Sequence, residues 1–189
     1  LGKTFQAGWL IEDRVIRQRK RALVIAPAVL RDGAWRAFVE RHQLPVQILS
    51  FDQLAQDRRL NPEGVGTHLR SEPNEYSLVV IDEAHNLRNP STLRAEALRR
   101  LLSGAPPKEV VMITATPVNN SLMDLYHLLR FFVRSDAEFA DVGVPSMRQH
   151  FGEAMAKNPE DLTAEALFDI LDQVSVRRTR PFIKRYYPN

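Results

Sequence analysis

Cysteine is absent from this 189-residue sequence, which rules out disulfides and thiolate metal sites and fits an intracellular protein better than a secreted one. No apolar run approaches the roughly 20 residues that cross a bilayer, and no signal peptide is visible, so a membrane role is not expected. An excess of one charge sign is lacking too: 26 Lys and Arg against 23 Asp and Glu leave a formal net charge of +3. That balance permits a nucleic-acid partner without requiring one. Internal repeats and low-complexity segments are also missing. What remains, with 44% apolar residues, is a chain sized for one sizeable core of the α/β class.

The most informative stretch is Leu78-Val79-Val80-Ile81-Asp82-Glu83-Ala84-His85. Four apolar residues in a row, three of them β-branched, read as a strand buried on both faces, the pattern of a parallel sheet covered by helices. Side chains at the carboxyl end of such a strand project into the crevice where open α/β sheets bind ligands. An Asp there is placed to hold magnesium, directly or through water, and a neighbouring Glu to orient and deprotonate an attacking water. Acidic residues at a strand end also commonly just cap the next helix, so the pair needs a phosphate cradle upstream to carry catalytic meaning.

That cradle is suggested at the start of the chain by Gly2-Lys3-Thr4, which opens a helical pattern running to about Arg21. In a phosphate-binding loop, Lys reaches the β- and γ-phosphates, the Thr hydroxyl ligates magnesium, and the helix N-terminus faces the anion. The earlier Gly of that pattern and its feeding strand are not in the sequence, so a sheet built from it is expected to have two buried-type edges unpaired.

Further strands are expected over 22–26, 46–49 and 110–113, the last buried like the others. Helices are expected up to about His42, from Ser50, over about 91–102, 122–133 and 164–173. Residues 58–74 read as a polar surface loop, and 135–161 as irregular helical excursions. Trp9, Trp35, Phe131 and Phe132 lie on apolar helical faces and are assigned to the core. His42, His68, His127 and His150 have no paired ligand spacing, so no metal site is assigned to them. Arg14, Arg17, Arg19, Lys20 and Arg21 are read as a solvated face. The acid-free block Arg177, Arg178, Arg180, Lys184 and Arg185 suits either solvent or nucleic-acid contact.

Taken together, Gly2-Lys3-Thr4, Ala26-Pro27 with Trp35, Ser50-Phe51-Asp52, the Asp82-Glu83-Ala84-His85 (DEAH) box with Leu87 and Asn89, Thr114-Ala115-Thr116-Pro117 and the Arg177-Arg178-Thr179 block resemble the first motor lobe of superfamily-two helicases. The match is nearest the Swi/Snf-related DNA translocases, bacterial members included, and covers nearly the whole chain. The resemblance implies a RecA-like P-loop NTPase lobe over 1–189 that is incomplete at its N-terminus. Its sheet would be mostly parallel with helices on both faces, and residues 135–189 would form a helical extension and basic connection toward a second RecA-like lobe.

The resemblance further implies ATP and Mg2+ as ligands. Gly2, Lys3, Thr4, Thr114 and Thr116 would bind nucleotide, Thr4 and Asp82 the metal, with Glu83 as general base and Asp82 and His85 beside it. His85 and Thr114 to Thr116 would relay loss of the γ-phosphate to a face where Pro27, Ala28, Ser50 and Arg88 track the backbone of double-stranded DNA. A cytoplasmic, nucleoid-associated bacterial protein is the implied setting. Because the arginines that stabilise phosphoryl transfer come from the second lobe in this family, these 189 residues alone are expected to be nearly inactive. A strand-separating DNA or RNA helicase, or a catalytically silent binding module of the same fold, remains an alternative.

Overall fold

The computed structural model describes residues 3–114, 122–156 and 165–175, and its chain forms two compact units, Leu1–Phe132 and Val133–Asn189. The first unit is built on four strands: β1 (Arg21–Ala26), β2 (Gln47–Ser50), β3 (Tyr76–Asp82) and β4 (Glu109–Ile113). They lie in the order β2-β1-β3-β4, all parallel. β1, β3 and β4 are almost unbroken apolar runs, because a parallel strand covered on both faces has no solvent side to alternate toward; the short β2 has only Ile48 and Leu49 between polar ends.

The two faces divide by residue parity. Leu23, Ile25, Val79 and Ile81 join one core with α4 (Phe51–Gln56), α5 (Leu93–Leu102) and α6 (Leu122–Leu129). On the other face Ala22, Val24, Leu78 and Val80 meet α1 (Lys3–Glu12), through Ala7 and Ile11, and Trp35. Trp35 belongs to a helical segment made of α2 (Ala28–Leu30), a wider π turn (Arg31–Trp35) and α3 (Arg36–Arg41). The expected α/β layout with helices on both faces is therefore present.

Three expectations change. The sheet shows no unpaired gap between β3 and β4, because they pair directly over five residues, from Leu78 with Glu109 to Asp82 with Ile113. β3 and β4 therefore leave no open edge between them, and the sheet's outer edges are those of β2 and β4. β4 is half-buried rather than buried, since it is an edge strand and Ile113 alone among its residues is buried. Trp9 is 66% exposed, while Trp35 is fully buried. Helix α1 turns Ala7 and Ile11 to the sheet, and Trp9, two positions from each, points away. Its ring instead lies 6.4 Å from that of Phe5. On the same helix, a side chain at Gly8 would overlap the Phe38 ring, so glycine there lets α1 and α3 approach.

The segment expected as a polar surface loop is a loop, but a pinned one. Leu60 and Leu69 enter the core beneath it. The fully buried Asp57 carboxylate accepts hydrogen bonds from the backbone N–H groups of His68 (2.5 Å), Leu69 (2.6 Å) and Arg59 (2.9 Å). Gln47 adds a second fastening, donating to the His68 carbonyl and accepting from the Arg70 amide and the Tyr76 hydroxyl.

The basic run after α1 is only partly a solvated face. Glu109, the first residue of β4, accepts from Arg14 at 2.8 Å and from Lys20 at 3.1 Å, and Arg21 pairs with Glu75. Burial pushes the Glu109 carboxyl up, but the hydrogen bonds from Arg14 and Lys20 outweigh it and leave its pKa below the ordinary glutamate value. A depressed folded pKa gives stability that is present above the unfolded value and lost as pH falls through the folded one. Glu109→Gln should therefore flatten the acid limb of melting temperature against pH. At neutral pH it should cost less than about 1 kcal/mol, since the Glu109 side chain is 40% exposed and solvent screens the pair. An unchanged acid limb would show that the pair does not tune stability.

The second unit contains a short 3-10 turn (Ala140–Val142), α7 (Met147–Ala156) and α8 (Glu165–Val174). Asp136 starts α7 by accepting from Ser146 Oγ at 2.5 Å and from the Arg148 amide at 3.0 Å. Buried residues here include Phe139, Met147, Phe151 and Ile170. Among the described residues no helix is long and apolar enough to cross a membrane. The basic block 177–185 lies outside the described residues.

Candidate functional site

The strand register decides which sequence motifs meet. Ala26 aligns with Ser50, Ile25 with Ile81, and Asp82 with Ile113. Pro27, Ser50, Asp82 and Thr114 therefore all stand at the carboxyl edge of one sheet, though up to 87 residues apart in sequence (114 − 27). Asp82, last residue of β3, is 5% exposed and lies on the parity face that carries α1 and Trp35. Both of its oxygens are engaged: Oδ1 accepts from the Glu83 amide at 2.9 Å, and Oδ2 from the Trp35 indole Nε1–H at 2.8 Å. Each retains a further lone pair for another partner.

Glu83 carries the backbone that makes this edge a turn. It adopts φ 52°, ψ 50°, the left-handed region, which costs a non-glycine residue about 1 to 2 kcal/mol. The chain then enters the 3-10 turn Ala84–Leu87, with the Asn86 amide and side chain both donating to the Glu83 carbonyl, at 3.0 and 2.8 Å. The Glu83 side chain is 33% exposed and its Oε2 lies 3.1 Å from His85 Nδ1, a pair that attracts as an ion pair only when the imidazole is protonated. Strained backbone that persists beside a buried acid is typical of sites kept for chemistry rather than stability. Glu83→Gly should accordingly leave the fold as stable or up to about 1 kcal/mol more stable. A marked loss of melting temperature would show that the left-handed turn is not strained.

Helix α1 is directed at the same edge. Its carboxyl end leads to Arg14, which bonds Glu109 at the start of β4, so the helix runs back against the strands. The backbone from Arg14 to Lys3 covers about 16 Å at 1.5 Å per residue. Five residues of β4 cover about the same length, so a helix laid back along β4 from that bond reaches the level of Thr114. Gly2 and Thr116 lie outside the described residues, as do the side chains of Lys3 and Thr4.

The remaining candidates frame the edge. Pro27 precedes α2, and its carbonyl accepts from the Arg31 amide at 2.8 Å. Ser50 caps α4 in a reciprocal box: its hydroxyl accepts from the Gln53 amide at 3.1 Å, and its own amide donates to Gln53 Oε1 at 3.0 Å. Arg88 closes the turn after His85. An open groove of about 580 Å³ between α4 and α5, walled by Asp52, Asn61, Val65, Asn86, Leu93 and Arg94, does not border Asp82 or Glu83. The chemistry-bearing groups thus gather along the strand ends and not in this groove. Sequence reasoning placed Trp35 in the core and among the family motifs but missed it as a partner of Asp82, because a bond across 47 positions leaves no periodic trace.

A parallel sheet with helices on both faces and an Asp-Glu pair at its carboxyl edge defines an open α/β lobe of the kind that binds ligands at its strand ends. The chain belongs to the SNF2-related domain family, whose model matches residues 1–189. Among curated proteins it is similar to the uncharacterized ATP-dependent helicase YqhH of Bacillus subtilis, 29% identical over 188 residues, covering 95% of this chain and 32% of that protein. It is also similar to the DNA repair and recombination protein RAD54-like of Drosophila erecta, 28% identical over 125 residues, covering 60% of this chain and 15% of the relative. The fold matches the Sulfolobus solfataricus SWI2/SNF2 ATPase core, solved in complex with dsDNA, with a TM-score of 0.65 at 21% identity over 95% of this chain and 38% of that one. The chain thus spans about a third of the curated relative it matches along nearly its whole length.

Proposed function

We propose that this chain is the nucleotide-binding motor lobe of an ATP-dependent translocase on double-stranded DNA. The observation that carries this reading is the convergence at one sheet edge of a buried Asp82, a solvent-reaching Glu83 and Thr114 with the strand-end residues Pro27 and Ser50. The names of similar proteins, ATP-dependent helicases and an ATPase core on duplex DNA, support it.

In this reading Lys3 and Thr4 hold the triphosphate at the N-terminus of α1, where helix amides favour an anion. Magnesium fits the groups present, because the donors at this edge are hard oxygens. Among the described residues there is no cluster of three or more His, Cys, Asp or Glu that could form an all-protein cage. Asp82 and Thr4 would hold it, and when bound it neutralises charge on the β- and γ-phosphates. Glu83 accepts the proton of an attacking water, and Thr114, Thr116 and His85 change their hydrogen bonds when the γ-phosphate leaves. Pro27, Ala28, Ser50 and Arg88 meet the duplex through amides, hydroxyls and a guanidinium, which track phosphates and cannot read sequence. A second RecA-like lobe of the same protein supplies the facing side of the nucleotide, and the protein works on nucleoid DNA in a bacterial cytoplasm.

The test is made on the full-length protein. DNA-stimulated ATP hydrolysis should require Mg2+. Duplexes of unrelated sequence should stimulate about equally, with affinity falling steeply as salt rises. A third strand should be displaced from a triplex without separation of the underlying duplex. Duplex unwinding would move the assignment to a strand-separating helicase, and absence of hydrolysis to a silent binding module.

A further inference from the structure

The Trp35 indole offers an unassigned element of the site. It is fully buried, and its ring N–H, a donor only, ends on Asp82 Oδ2 at 2.8 Å. Ordinary core packing would place the ring without requiring that contact. The bond joins the last residue of β3 to a helical segment beginning just after β1, and it fixes which way the carboxylate faces. Trp35 closes the π turn Arg31–Trp35, whose extra residue per turn changes the helical register near Gly33, where a Cβ would meet no atom within 4 Å. Such turns are uncommon and are often found at functional sites.

At the other end of the same turn, Arg31 donates from Nη1 to Gln53 Oε1 at 2.5 Å. Gln53 Oε1 is the atom that also receives the Ser50 amide. Through its backbone amide Arg31 is bonded to the Pro27 carbonyl as well. One helical turn is therefore fastened by hydrogen bonds at both ends, to Pro27 and, through Gln53, to Ser50 at Arg31, and to Asp82 at Trp35.

We infer that Trp35 is a positioning residue that sets the Asp82 carboxylate for the metal of a bound nucleoside triphosphate, and that the Arg31–Trp35 turn transmits duplex contact at Pro27 and Ser50 to that carboxylate. This rests on the reading of Asp82 as a metal-organising acid given above. The indole touches neither nucleotide nor metal; it acts by limiting how Asp82 can turn. Losing the N–H leaves the ring packing and the nucleotide contacts in place, so metal affinity falls while metal-free nucleotide binding does not.

The experiment uses the full-length protein and a fluorescent ATP analogue, titrated with Mg2+ and, separately, in EDTA. Trp35→Phe should raise the half-saturating Mg2+ about tenfold, as expected for loss of one orienting partner of a metal-organising carboxylate. Binding in EDTA should stay within about twofold of the parent. Duplex DNA should lower the half-saturating Mg2+ of the parent and leave that of Trp35→Phe unmoved. A benzothienylalanine incorporated at position 35, which replaces only the N–H by sulfur, should reproduce the phenylalanine result and covers the case in which Trp35→Phe folds poorly. A Mg2+ requirement equal to the parent's in both variants overturns the positioning role. Persistence of the duplex effect in both overturns the transmission. A parent protein that binds nucleotide without any Mg2+ dependence overturns the site reading itself, an outcome distinct from either.

Discussion

Glu83→Gln in the full-length protein should abolish most DNA-stimulated ATP hydrolysis, lowering kcat by about 100-fold to 10,000-fold, the usual contribution of a positioned general base. Nucleotide affinity should stay within about threefold, because glutamine has the same shape and Glu83 is not asked to bind the ground state. The geometry favours this outcome. Glu83 follows the buried Asp82 directly, and its left-handed backbone carries its side chain out of the sheet, where it is 33% exposed. Two hydrogen bonds from Asn86 to the Glu83 carbonyl hold that turn without using the carboxylate. The substitution therefore leaves the turn intact and removes only the proton acceptor. Phosphate release within about twofold of the parent would remove Glu83 from the role of base, while loss of nucleotide binding would point instead to a role in the ground state.

The second large effect is structural. Asp57→Ala should increase hydrogen exchange across residues 57–71 of the full-length protein by about 100-fold or more, corresponding to roughly 3 kcal/mol of local stability. Three backbone donors share this one carboxylate, and both Asp57 and the neighbouring Leu69 are shut off from water. Truncation leaves those N–H groups without a partner, a far costlier change than deleting an exposed charge. Asp57→Asn, which keeps one acceptor oxygen, should fall between the two. The core on the Asp82 side of the sheet should be unaffected, since Leu60 and Leu69 pack on the opposite face. Exchange in 57–71 unchanged within about threefold would mean that Gln47, together with the Arg59 guanidinium that donates to the Leu69 and Ser71 carbonyls, holds the loop on its own.

The sequence by itself determined the parallel strands β1 and β3, because covering both faces of a strand demands uninterrupted apolar residues and that demand is local. It determined the capped start of α4 at Ser50, the order of motifs, and the placement of Pro27, Ser50, Asp82 and Thr114 at strand ends, since a motif directly following a buried strand has nowhere else to be. Tertiary structure alone decided the rest. Trp9 and Trp35 look alike in their helical patterns, and only the packing direction of α1 sends one to solvent while the other is enclosed. The direct pairing of β4 with β3, the three amides gathered by Asp57 and the indole bond to Asp82 join residues far apart in the chain. A hydrogen bond of that kind depends on where two backbones meet in space, and no periodicity along either segment records it.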